Sequence, residues 1–82
     1  MKTITLEDCR QLRERYMEFC NRQEQHAFPF LTMINLRIDT TIDAIEKDGK
    51  VKNQKDINAM FRVVLRIMGE DYSAYEEDQT VE

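Results

Sequence analysis

Pro29, Gly49 and Gly69 are the only proline and glycines in the chain. Every other stretch lacks a strong breaker of regular backbone, so few turns are available. That arrangement suits a few long helices better than many short strands. The 82 residues make one domain close to the lower size limit for a self-sufficient core. At 41% hydrophobic and 34% charged, the chain can bury a core and does not have a disordered composition.

The first helix is expected to start at Thr5. Thr5 and Asp8 stand at capping-box spacing, and Ile4 and Cys9 fall where a hydrophobic staple closes the entry. At about 100° per residue, Leu6, Cys9, Leu12, Tyr16, Met17, Phe19 and Cys20 share one side. Pro29 lacks an amide hydrogen and disfavours helical geometry at Phe28, so this helix must stop before it. The same proline suits the first turn of a second helix. There Phe30, Leu31, Ile34, Ile38, Thr41, Ile42 and Ile45 form a stripe that ends at Gly49, a left-handed cap. "INLRI" also alternates, so a short strand over Ile34–Ile38 competes with the helix; the unbroken helical period of "DTTIDAIEKDG" favours the helix. A third helix starts near Asn53 and runs through "INAMFRVVLRIM", ending at Gly69 or continuing as a weaker turn through Tyr72 and Tyr75. The short loop before it makes helices two and three antiparallel neighbours. The expected fold is an all-α, three-helix domain, able to form a dimer.

The net charge of −4 is unevenly spread. Residues 1–69 hold all 12 basic residues and 10 of the 16 acids, a net of +2, whereas residues 70–82 are acidic without a base. This divides the chain into a helical domain, 1–69, and an acidic C-terminal extension, 70–82. "MKTITLED" has no apolar core of a signal peptide, and "MFRVVLRIM" is too short and too charged to span a bilayer. Cys9 and Cys20 on one helix stand roughly 16 Å apart at about 1.5 Å per residue, beyond the roughly 7 Å that a disulfide tolerates. A soluble protein of a reducing cytoplasm is the expectation.

Catalytic chemistry finds no foothold. Two cysteines three turns apart and one histidine, His26, do not make a zinc set. His26 reads as a cation at the end of helix one or as a hydrogen-bonder at the corner, and the chain's only serine, Ser73, has no base and orienting acid arranged around it. No glycine-rich phosphate loop exists. No enzyme, no metal and no cofactor are expected.

Helix three is apolar around roughly 200° of its circumference, against about 100° for an ordinary surface helix. Only Asn58, Arg62, Arg66 and their neighbours remain polar, and in helix two Met33 and Leu36 point away from the main stripe. Either both neighbouring helices cover helix three, or Val63, Ile67, Met33 and Leu36 form an interface for another protein, with Arg62 and Arg66 steering an acidic partner. A homodimer is one form of that interface. An alternative is a small nucleic-acid-associated regulator using Lys47, Lys50, Lys52 and Lys55 around one loop, with Arg62 and Arg66 extending the basic line. The acidic total and the absence of an aromatic platform oppose it. An amphipathic helix followed by acids is poorly made for anionic lipid, so no membrane insertion is expected.

"MKTITLEDCRQLRERYMEFCNRQEQ" followed by "QKDINAMFRVVLRIMGEDY" resembles the small acidic helical accessory proteins of large tailed phages. In size and absence of catalytic residues the chain is similar to the cytoplasmic lysis-inhibition (antiholin) proteins of T-even phages. The resemblance covers the whole chain without a diagnostic motif, and it assigns no residue a role. It implies a regulator in the host cytoplasm that binds the cytoplasmic segment of a membrane-embedded holin and delays lysis.

Overall fold

A computed structural model describes residues 3–23 and 28–75. Three helices make up the fold: α1, Leu6–Asn21; α2, Phe28–Asp48; and α3, Gln54–Met68, followed by a single 3-10 turn, Ser73–Tyr75. There is no strand among the described residues, and Ile34–Ile38 lies inside α2. His26 and residues 76–82 lie outside the described residues.

The helix ends follow from local chemistry. At the start of α1 the Thr5 hydroxyl accepts from the Asp8 amide, and the Asp8 carboxylate accepts from the Thr5 amide at 2.9 Å. Two amides that the first turn leaves unpaired are thereby satisfied. Ile4 and Cys9, the staple pair, are both buried in the core. Pro29 sits in the first turn of α2, where no intrahelical amide bond is missed. Gly49 and Gly69 both have φ near +80°, at 79° and 76°, conformations a side chain would strain. Beyond α3 the Glu70 amide bonds back to Leu65 O and the Gly69 amide to Arg66 O, closing the helix with a left-handed turn. Asn53 does not cap α3 through a backbone amide; its side-chain amide donates to the Asp56 carboxylate at 2.7 Å instead.

α2 runs antiparallel to α1. Arg10 meets Glu46 at 2.8 Å, Arg13 meets Asp39 at 3.6 Å, and the Tyr16 hydroxyl donates to Leu31 O at 2.9 Å, so contacts climb one helix as they descend the other. α3 returns beside both. Its first residue, Gln54, uses both ends of its amide on the backbone of Ile4, accepting from the N–H at 2.8 Å and donating to the C=O at 2.7 Å. The core lies where the three apolar stripes converge: Cys9, Leu12 and Tyr16 from α1, Leu31, Ile38, Ile42 and Ile45 from α2, and Ile57, Met60, Phe61, Val64 and Leu65 from α3.

Three expectations about this core require correction. Phe30, assigned by periodicity to the buried stripe, is 55% exposed, and Met17 is 49% exposed. Both stand at the edges of their stripes, toward the end of the bundle where α1 has finished and α2 has just begun. Asn58, expected on the polar side of α3, is fully buried; its side chain donates to Gln54 O at 2.9 Å, the bond a buried amide requires.

Burial also sets the chemistry of the core's polar groups. Enclosure in apolar surroundings, reinforced by the neighbouring Asp8 carboxylate, pushes the Cys9 thiol up to about 11. The Tyr16 phenol is raised above its ordinary value, first by burial and then by Cys20. A folded-state value above the unfolded one favours the protonated form. These groups therefore contribute stability that is complete below their unfolded values and is lost as pH rises through the folded ones. The chain is expected to weaken between about pH 9 and pH 11. Cys9 is expected to react with an alkylating reagent at pH 8 only as fast as the protein unfolds, well after Cys20, which is partly exposed. Peptide mass spectrometry over a time course checks this; equal labelling of both thiols would show that the Cys9 environment is open.

Candidate protein-binding face

The outer surface of α2 is built by the helical period itself. Leu31, Ile38, Ile42 and Ile45 occupy the buried side, so residues about half a turn away must face water. In the C-terminal half those residues are polar or small: Thr40, Asp43, Ala44 and Lys47, all exposed. The N-terminal half is different. Phe30, Met33 and Leu36 follow one another at i, i+3 spacing and are 55%, 70% and 65% exposed. Pro29 and Arg37 flank them and are exposed as well. Scattered exposed apolar residues need no explanation, but three neighbours along one helix edge form a patch.

On α3 the surplus anticipated from its wheel is mostly absorbed inside the chain. Val63 is 40% exposed, whereas Ile67 and Met68 are partly buried against the core. Part of the cover comes from a segment with no strong signal in the sequence. After Gly69 the backbone folds back, Tyr72 and Tyr75 pack on the core, and the Tyr75 ring lies 5.0 Å from that of Phe61. Arg62 pins this return, donating from its guanidinium to Tyr75 O at 2.7 Å, and Arg15 pairs with Glu70. Within the turn, the Ser73 amide donates to the Asp71 carboxylate, holding it below the ordinary carboxylate range. The start of the acidic extension is thus part of the packed body. The i, i+3 spacing of Tyr72 and Tyr75 was the one available hint.

The residues named from sequence are therefore divided rather than gathered. Met33 and Leu36 lie together on α2. Val63 and Ile67 lie on the side of α3 that also carries Met60, whose sulfur stands 3.4 Å from the Thr41 hydroxyl of α2. Arg66 is exposed, while Arg62 is engaged by Tyr75. Phe30 and Arg37 were not singled out, because Phe30 fits the core stripe and an exposed arginine on a helix has no distinguishing pattern.

Lys47, Lys50, Lys52 and Lys55 are all exposed around the turn from α2 to α3. Acids are interleaved with them: Lys52 stands 3.6 Å from Asp48, and Glu46 is held by Arg10. The turn is of mixed sign rather than a basic surface. Beside it, a cleft of about 540 Å³ is lined by Ile4, Leu6, Ile45 and Val51, with the Arg10–Glu46 pair on its rim. A smaller cleft of about 280 Å³ separates α1 from α2 at Met17, Cys20, Leu31 and Asn35. Among the described residues no three His, Cys, Asp or Glu side chains stand together as a metal-binding group, and no helix is long and apolar enough to cross a membrane.

No family model, no curated protein and no solved structure matches the chain.

Proposed function

We propose that this chain is a small regulatory protein that acts by binding another protein. The carrying observation is the contiguous exposure of Phe30, Met33 and Leu36 along one edge of α2. On α3, Val63 is a separate exposed apolar position, and Arg66, one turn further along, is an exposed charge that can meet an acidic partner. Arg62 contributes by holding the Tyr75 return in place. Covering a fully exposed Leu, Met or Phe contributes roughly 1.5–3 kcal/mol, so this patch can anchor a partner helix once ordering costs are met.

The resemblance to T-even lysis-inhibition proteins gives this reading its specific form: an antiholin in the host cytoplasm whose partner is the cytoplasmic segment of a holin. Co-expression of the chain with a T-even holin tests it. The intact chain is expected to delay lysis, and a Met33→Glu/Leu36→Glu double variant, still helical by circular dichroism, is expected to lose the delay. Unchanged lysis timing with the intact chain would remove the antiholin reading. The broader reading fails if the double variant captures the same host proteins as the intact chain.

A second reading, a nucleic-acid-associated regulator, draws on the four exposed lysines at the α2–α3 turn. Duplex DNA titrated at low and moderate salt separates it from the first. Phosphate contacts require affinity that falls steeply with salt; an absence of binding at low salt eliminates this use of the lysines.

A further inference from the structure

We infer that the cleft between α1 and α2 is a socket for a tryptophan side chain of the bound partner protein, whose indole N–H donates to Asn35. This occupant presupposes the protein-binding reading above and names the partner residue that goes deepest. The cleft holds about 280 Å³, just under the roughly 300–1,000 Å³ of pockets that take drug-sized ligands, so it has room for one ring system and little more. Met17 and Cys20 of α1 and Leu31 of α2 make its apolar wall, and the first two bring sulfur, which packs favourably against aromatic rings. Asn35 also lines the cleft, and its carboxamide oxygen is enclosed with no hydrogen-bond donor among the described residues.

An enclosed acceptor left unpaired is costly, and nearly all such atoms in folded proteins have a partner. The occupant must therefore bring a donor on an apolar body. Indole does so, because its one polar atom is an N–H that donates and cannot accept. A phenylalanine ring would leave the oxygen unpaired, and a lysine or arginine would bury a charge in a cleft that no acid lines. The torsion that turns a side-chain amide is soft, so Asn35 can present its oxygen to an inserted ring without moving the helices. The floor is already fixed: Leu31 O is held by the Tyr16 hydroxyl at 2.9 Å, and Tyr16 is fully buried. The socket is also continuous with the patch on α2. Thr32, on its rim, stands four residues before Leu36 and so beside it on the helix surface. A partner helix lying on Met33 and Leu36 thus brings a side chain over the mouth, an aromatic anchor in a pocket beside shallower contacts.

The free ring is the probe. In an NMR titration of the full chain, indole is expected to shift the Met17 methyl and Asn35 side-chain amide signals with a Kd of about 1 mM, since a single ring lacks the contacts to Met33 and Leu36. 1-Methylindole keeps the ring and loses the N–H, and is expected to bind about tenfold more weakly. Asn35→Leu, shown to be folded by circular dichroism, is expected to take the two about equally. At about 5 mM, indole is expected to release host protein captured by the intact chain, and 1-methylindole to release less. Equal affinities on the native chain, a preference for indole that persists in Asn35→Leu, or shifts confined to residues outside the cleft would overturn the inference. Saturation by indole below about 10 μM would overturn it too, making a free small molecule the occupant. None of these results alters the lysis and capture experiments, which depend on Met33 and Leu36. If Met33→Glu/Leu36→Glu captures the same proteins as the intact chain, the source of the tryptophan is lost even where indole binds.

Discussion

Truncating Ile38 to alanine is expected to lower the unfolding free energy by about 2–5 kcal/mol, while the same truncation of Leu36 costs less than about 0.5 kcal/mol. The two residues are two positions apart on α2 and differ little in hydrophobicity, so composition and helix propensity cannot separate them. Their surroundings do. Ile38 is fully enclosed between α1 and α3, whereas Leu36 is 65% exposed. Removing methyl and methylene groups from an enclosed site forfeits their transfer free energy and leaves a cavity that neighbours fill only in part. At an exposed site there is little to forfeit, and alanine's better helix propensity offsets part of that loss. Urea denaturation of both variants, at a concentration low enough to keep the chain monomeric, measures the contrast. A loss of more than about 1.5 kcal/mol for Leu36→Ala would mean that its side chain is packed within a single chain. The docking surface on α2 would then have no basis.

Tyr16→Ala is expected to cost about 3–5 kcal/mol, a large share of the stability of so small a domain. Tyr16 is fully buried, its ring lies 6.0 Å from that of Phe19, and its hydroxyl donates to Leu31 O at 2.9 Å. One side chain thus packs the centre of α1 and fixes where α2 begins. Tyr16→Phe separates the two contributions: it keeps the ring and removes the donor, and is expected to cost about 1–2 kcal/mol. Because the phenol's ionisation is suppressed by burial, the difference between the native chain and Tyr16→Phe should hold from pH 6 to pH 9 and narrow only above that. If Tyr16→Phe matches the native chain, the hydroxyl bond contributes nothing net and only the ring holds the corner.

These contrasts mark the boundary of what the chain's letters disclose. The helices, their order and their ends were legible because each is dictated within a few residues. Thr5 caps because Asp8 is three positions on, the turns after α2 and α3 close because Gly49 and Gly69 tolerate positive φ, and the second helix holds Pro29 in its first turn because no amide bond is lost there. The buried sides of the helices followed from period alone for Leu12, Tyr16, Ile38, Ile42 and Val64. Residues at the edges of those stripes were not decided in this way. Phe30 and Met17 carry the right spacing for a core and are nonetheless half in water, while Asn58 carries a polar side chain and is enclosed.

Burial at a stripe edge depends on how far a neighbouring helix extends, and this is set by contacts distant in sequence. Gln54 ties the entry of α3 to Ile4, Arg15 meets Glu70, and Tyr75 returns to cover Phe61. That return absorbs part of the apolar excess of α3 and leaves the clearest uncovered patch on α2. Local chemistry, acting over one helical turn, determined that there are three helices and where they stop. Only the packed chain decided which apolar residues face water, because shielding from solvent is a property of neighbours in space.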